Sequence, residues 1–162
     1  MHIVQAKASH VPDILDIVNH EIEFSTSIYD YDPRTLAEQM VWFEEKQQTG
    51  IPVFVAEEDN MVLGFATYGS FRTKVAYQFT VEHSIYIHKD ARGQGIGKAL
   101  MVPLIEAARA NGKHTMIAGI DAANVSSIHF HQQFGFQEVG RIREAGFKFE
   151  KWLDLVFMQL ML

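Results

Sequence analysis

Residues 92–98 read Arg-Gly-Gln-Gly-Ile-Gly-Lys, with three glycines in five positions between two cations. Glycines at that density let the backbone turn tightly and bring its N–H groups close to a ligand. Where such a turn opens a helix, those N–H groups and the helix N-terminus make an anion site suited to a pyrophosphate. Gly93, Gln94, Gly95, Ile96, Gly97 and Lys98 are the candidate cradle, and Arg92 adds a charge beside it. A P-loop needs G-x-x-x-x-G-K-[ST]; here Lys98 is followed by Ala99 and Arg92 stands at the first glycine position. The dinucleotide fingerprint G-x-G-x-x-G fails at its last interval. Asp121, at the end of a later strand, imitates the ribose-binding acid of that fold and keeps a dinucleotide oxidoreductase as a rival reading.

The elements that must position this loop follow from punctuation and periodicity. Residues 2–6 read as a strand, and Ser9 as the N-cap of a helix with Ile14, Leu15, Val18 and Ile22 on one face. Asp32 caps a second helix that has Pro33 in its first turn and Gly50 after its end. Residues 52–58 and 61–70 form a hairpin about Glu58–Asn60. Residues 71–80 read as a loop, 81–88 as a strand, 91–97 as a turn and 98–112 as a helix. Within that helix Pro103 removes a donor, so a kink is expected near Ala99–Pro103. A strand at 114–120, a short helix at 125–136 and two strands about an Ala145–Gly146 turn complete the chain. The order β-α-α-β-β-β-α-β-α-β-β predicts one mixed, mostly antiparallel α/β domain over residues 1–162.

Composition sets outer limits. The 162 residues suit a single domain, and 48% apolar with 21% charged residues is ordinary for a soluble globular chain. The net charge of −6 argues against a nucleic-acid or anionic-membrane partner. No apolar run is long enough to span a bilayer and no secretory pattern opens the chain, so a cytoplasmic protein is expected. With no cysteine there is no thiol nucleophile. The eight histidines include no HExxH, and His129 and His131 point apart on a helix, so no metal site is expected. His2, His10 and His114 read as capping or packing residues. His83 and His88 carry no assignment.

The pattern Arg92-x-x-Gly95-x-Gly97 at a strand-to-helix turn resembles the acetyl-CoA loop of the GNAT acetyltransferases. Asn124 near the start of a later helix and Gly135-Phe136 at its end match further landmarks of that family. The stretches 80–87 (TVEHSIYI), 120–128 (IDAANVSSI) and 146–160 (GFKFEKWLDLVFMQL), with IVNHEI in the first helix, are similar to the phosphinothricin and methionine-sulfoximine N-acetyltransferase branch. The resemblance implies a GNAT fold in which the strand before the loop splays from its neighbour. It gives Ile85, Tyr86, Ile87 and Asn124, with the loop residues, to acetyl-CoA as co-substrate. It also implies a homodimer and a small amino-acid acceptor.

Acetyl transfer to an amine needs a base, because an amine is mostly protonated at neutral pH, and it needs a proton or hydrogen bond for the departing thiolate. Glu82, whose pKa partial burial would raise, is one candidate. His131 stands four residues before the Gly135-Phe136 pair, where many GNAT enzymes have a tyrosine acid; it titrates in the useful range. Which of the two is the base stays open. Phe71, Arg72, Thr73, Lys74 and Tyr77 lie just ahead of Glu82 and form the candidate acceptor site, since two cations suit a carboxylate and a second anionic or strongly polar group. Phe24 and Phe71 could meet the side-chain stem, and Trp152 the substrate end. A module that binds acetyl-CoA without turnover remains the non-enzymatic alternative.

Overall fold

Alternation along each strand decides which helices it meets. The computed structural model describes residues 1–162. Its seven strands are β1 (His2–Gln5), β2 (Val53–Glu58), β3 (Met61–Ser70), β4 (Thr80–Ile87), β5 (Thr115–Asp121), β6 (Gln137–Lys148) and β7 (Lys151–Met161). They form one sheet in the order β1-β2-β3-β4-β5-β7-β6. Along β3, Phe65 packs with Val53, Val55 and Val62 beneath α1 (Val11–Phe24) and α2 (Leu36–Gln48). Its neighbour Ala66 faces the other core, with Val81, Met116 and Met158 against α3 (Ile96–Ala110). The expected mixed, mostly antiparallel α/β sheet is present, and no helix is long and apolar enough to cross a membrane.

β4 and β5 are the one parallel pair. Their ladder holds only Thr80 to Thr115, Val81 to Met116 and Glu82 to Ile117. Beyond Glu82 the two strands part, while β4 stays paired with β3 as far as Ile87 and β5 with β7 as far as Asp121. A wedge therefore opens within a continuous sheet, its walls held by the outer neighbours.

Several boundaries differ from the sequence reading. Ser9 does not cap α1: it lies in a short 3-10 turn, Ala8–His10, where His10 Nδ1 accepts the Lys7 N–H at 3.1 Å. α2 begins after Thr35, not Asp32. Thr35 and Glu38 form a reciprocal capping box, with Glu38 accepting the Thr35 N–H at 2.7 Å and Thr35 Oγ1 the Glu38 N–H at 3.2 Å. Residues 71–80 include a 3-10 turn at Val75–Tyr77. α3 starts at Ile96 and runs unbroken through Pro103. The last hairpin reverses at Phe149–Glu150, both left-handed (φ 52 and 58), and not at Ala145–Gly146. Gly146 instead makes room within β6, since a Cβ there would lie 2.6 Å from the Tyr29 ring.

Candidate active site

A groove of about 1110 Å³ runs along the wedge and over the start of α3. Ile85, Tyr86 and Ile87 line it from β4, Arg92, Gly93, Gly95, Ile96, Gly97 and Lys98 from the loop and α3, and Asn124 and His131 from α4 (Val125–Gln132). Of the predicted cradle, Gln94 alone does not line the groove. Gly93 and Gly95 adopt φ of 78° and 79°, a left-handed conformation that costs other L-residues roughly 1–2 kcal/mol. Gly97 is needed for closeness: a Cβ would stand 3.3 Å from the Phe130 ring where α3 meets α4.

The neighbours of the groove's charges were not legible beforehand. Arg92 is ion-paired to Glu21, a nearly buried carboxylate on α1 that also accepts the Ser25 hydroxyl at 2.6 Å. About half of the Arg92 side chain remains exposed, so the guanidinium is anchored at the edge of the groove. Asn124 caps α4, its Oδ1 accepting the Ser127 N–H at 3.1 Å. Asp121, the imitation ribose acid, is occupied structurally: it accepts the Thr26 hydroxyl and the Ala123 N–H.

A smaller, polar cavity of about 90 Å³ lies where β4 and β5 separate. Ser84 and Tyr86 line it from β4, Gly119 and Asp121 from β5, His131 from α4, and Thr26, Ser27 and Tyr29 from the segment between α1 and α2. That segment is tied down from across the sequence. Lys148 Nζ donates to the carbonyls of Ser25 and Ile28 at 2.7 and 2.6 Å, and Arg34 N–H to Asn19 Oδ1 at 2.8 Å. Glu21, Thr26, Ser27, Tyr29 and His83 are the site residues that the sequence reading missed. The polar S-T-S-I-Y run after α1 was the only local signal for Thr26, Ser27 and Tyr29.

Glu82 and His83 are consecutive on β4 and face opposite sides of the sheet. Glu82 is half-buried; its Oε1 lies 2.9 Å from where a Gly119 Cβ would sit, so the bare backbone of β5 leaves room for the carboxyl. Burial raises its pKa, and the Arg72 charge partly offsets this. On the other side, His131 Nε2 lies 3.0 Å from His83 Nε2, and His131 Nδ1 lies 2.6 Å from the Ser127 carbonyl. Burial pulls both imidazoles down, His83 to about 3 with a further push from His131, so both are neutral near pH 7. Burial pushes the Tyr86 phenol up to about 12 and keeps it protonated.

The 71–80 loop stands apart from both cavities. Phe71 packs edge-on against Tyr77 and Phe157, and the Arg72 guanidinium lies over the Phe71 ring at 5.1 Å. Thr73 and Lys74 are solvent-exposed, and none of these five lines the groove or the inner cavity. Arg72 reaches the site through its charge on Glu82. Trp152 is also away from the groove, 63% exposed on the β6–β7 hairpin and packed on Phe147, because the true reversal at Phe149–Glu150 carries it outward. Phe24 and Phe149 do line the groove.

A sheet parted between its fourth and fifth strands, with a glycine-rich anion loop opening the following helix, is the arrangement of an acyl-CoA-dependent acyltransferase. Residues 14–136 match the acetyltransferase (GNAT) family model, and the chain belongs to that family. It is 42% identical to an L-methionine sulfoximine/L-methionine sulfone acetyltransferase of Pseudomonas paraeruginosa, across 98% of this chain and 92% of that protein. It superposes with TM-score 0.96 on a phosphinothricin acetyltransferase from Sinorhizobium meliloti in complex with acetyl-CoA, at 37% identity over 99% of this chain and 88% of that one. A ribosomal-protein-alanine N-acetyltransferase from Brucella melitensis is 40% identical with TM-score 0.98, each chain covered in full.

Proposed function

We propose that this chain transfers the acetyl group of acetyl-CoA to the α-amine of a small amino acid with a tetrahedral polar head, of the methionine sulfone, methionine sulfoximine or phosphinothricin type. The observation that carries this reading is the position of Glu82. A half-buried carboxylate with a raised pKa stands where the two strands part, against a glycine and within reach of the Arg72 charge.

The chemistry is direct attack in a ternary complex, because the chain has no cysteine to carry an acetyl group. The amine nitrogen bonds the acetyl carbon, the carbon–sulfur bond breaks, one proton leaves nitrogen and one is taken up by sulfur. Ionised Glu82 takes the first. His131 is engaged at both ring nitrogens, which favours Glu82 as base. Arg72, whose charge reaches Glu82, favours an acceptor that carries a carboxylate and a polar head and disfavours a polyamine, and Lys74, solvent-exposed on the same loop, adds to that field from further away. Arg72→Ala is expected to raise the KM for the amino acid about tenfold, the worth of one charge-assisted hydrogen bond. The KM for acetyl-CoA should barely move. Equal effects on both would remove the loop from the acceptor site.

The working form in this reading is a cytoplasmic homodimer. Leu153, Val156, Met158 and Leu160 of β7 complete this chain's own core, but Val139, Ile142, Phe147 and Trp152 are exposed on β6, β7 and their hairpin. β6 is a twelve-residue edge strand, and an apolar edge of that length calls for a partner. Light scattering should return twice the 18.4 kDa of one chain, whereas a monomer mass at micromolar concentration would refute the dimer.

A further inference from the structure

The buried face of α1 is apolar at Val11, Ile14, Ile17, Val18 and Ile22, and Glu21 is its one charged member. Taking a carboxylate out of water is costly unless a cation and hydrogen bonds replace the water, so packing does not account for a charge here. Both of its oxygens are engaged. Oε1 is held by the Arg92 guanidinium and Oε2 by the Ser25 hydroxyl at 2.6 Å. Ser25 Oγ in turn accepts the Ser27 N–H at 3.0 Å, which fixes the carboxylate from the end of its own helix.

The pair is asymmetric: the Glu21 side chain is 5% exposed and that of Arg92 52%. The carboxylate is thus the inner partner, and the guanidinium faces the groove beside Gly93, Gly95 and Lys98. Glu21 occupies one terminal nitrogen of Arg92. A guanidinium carries five N–H donors in a planar fork, so donors remain for phosphate oxygens. A free arginine would lose rotamer freedom on gripping an anion, and here that loss is already met in the folded chain. The Glu21 charge also repels phosphate. That effect is the weaker one, because the carboxylate stands behind the guanidinium while Lys98 and the N-terminus of α3 add attraction.

We propose that Glu21 is a positioning residue for the donor: it holds the Arg92 guanidinium toward the groove, set for the pyrophosphate of acetyl-CoA. The proposal rests on the acetyl-CoA groove described above and is independent of which amine accepts the acetyl group.

Calorimetric titration with coenzyme A and with pantetheine, which lacks the pyrophosphate, separates aim from fold. Glu21→Gln keeps the shape but cannot accept from both Arg92 and Ser25. It should raise the Kd for coenzyme A about tenfold and leave that for pantetheine within about twofold. Arg92→Gln should weaken coenzyme A at least as much, and adding Glu21→Gln to it should cost nothing further. If Glu21→Gln fails to fold, Glu21→Asp takes its place. It keeps the charge but withdraws it by one methylene, and it should weaken coenzyme A about threefold with pantetheine again unmoved. Unchanged or tighter coenzyme A binding in the Glu21 variant overturns the proposal. Equal losses for both ligands, or a full further loss in the Arg92→Gln background, overturn it as well and leave Glu21 a structural role alone. A wild-type chain that binds no coenzyme A removes the donor groove itself, whereas a failed search for the acceptor alters none of these titrations.

Discussion

Glu82→Gln is expected to lower kcat by at least about a hundredfold, the bottom of the range for a positioned proton-transfer group, with the KM for acetyl-CoA little changed. Glutamine keeps the shape beside Gly119 and loses the proton acceptor. The pH dependence carries the stronger test. Burial lifts the Glu82 pKa above the usual carboxylate range, so the base form is lost as pH falls through that raised value. The wild-type rate should therefore rise with pH through an acid limb and then level. In Glu82→Gln that limb should vanish along with most of the rate. Arg72 works against the shift, so Arg72→Ala should move the limb to higher pH. A Gln variant with wild-type kcat would leave proton transfer to solvent or backbone.

Lys148→Met is expected to cost about 1–3 kcal/mol of folding stability, the penalty for a buried acceptor deprived of its donor. The Lys148 side chain is 5% exposed, and its ammonium is shared by the carbonyls of Ser25 and Ile28. Methionine fills the space and offers neither carbonyl a hydrogen. The segment released carries Thr26, Ser27 and Tyr29, which wall the inner cavity. Stability and acceptor binding should fall together: a lower urea midpoint at unchanged slope, and an amino-acid KM raised more than that of acetyl-CoA. An unaltered midpoint would show that the segment holds its place without Lys148.

What the sequence disclosed and what it hid divide by range. The loop at 92–98 was legible because glycine spacing, a preceding strand and a following helix are all local, and the β4 and β5 runs flanking it were equally plain. The start of α2 was misread although its signal was also local: Asp32-Pro33 competed with the Thr35–Glu38 box, and the box forms. Ala145–Gly146 has the composition of a turn, but Gly146 serves the Tyr29 ring, and the reversal falls on Phe149–Glu150, two residues that seldom adopt left-handed backbone. His83 could not be assigned because its partner is 48 residues away on another element. The Thr26–Asp121 and Lys148–Ser25 contacts span 95 and 123 residues, and no spacing rule reaches that far.

The most direct measurement is thiol release from acetyl-CoA across a panel of acceptors: methionine sulfone, methionine sulfoximine, phosphinothricin, spermidine and a peptide with N-terminal alanine. One of the three amino acids should give the highest kcat/KM, and spermidine, repelled by Arg72 and Lys74, among the lowest. Binding of acetyl-CoA without thiol release from any of the three, or faster turnover of spermidine or the peptide, would contradict an amino-acid N-acetyltransferase.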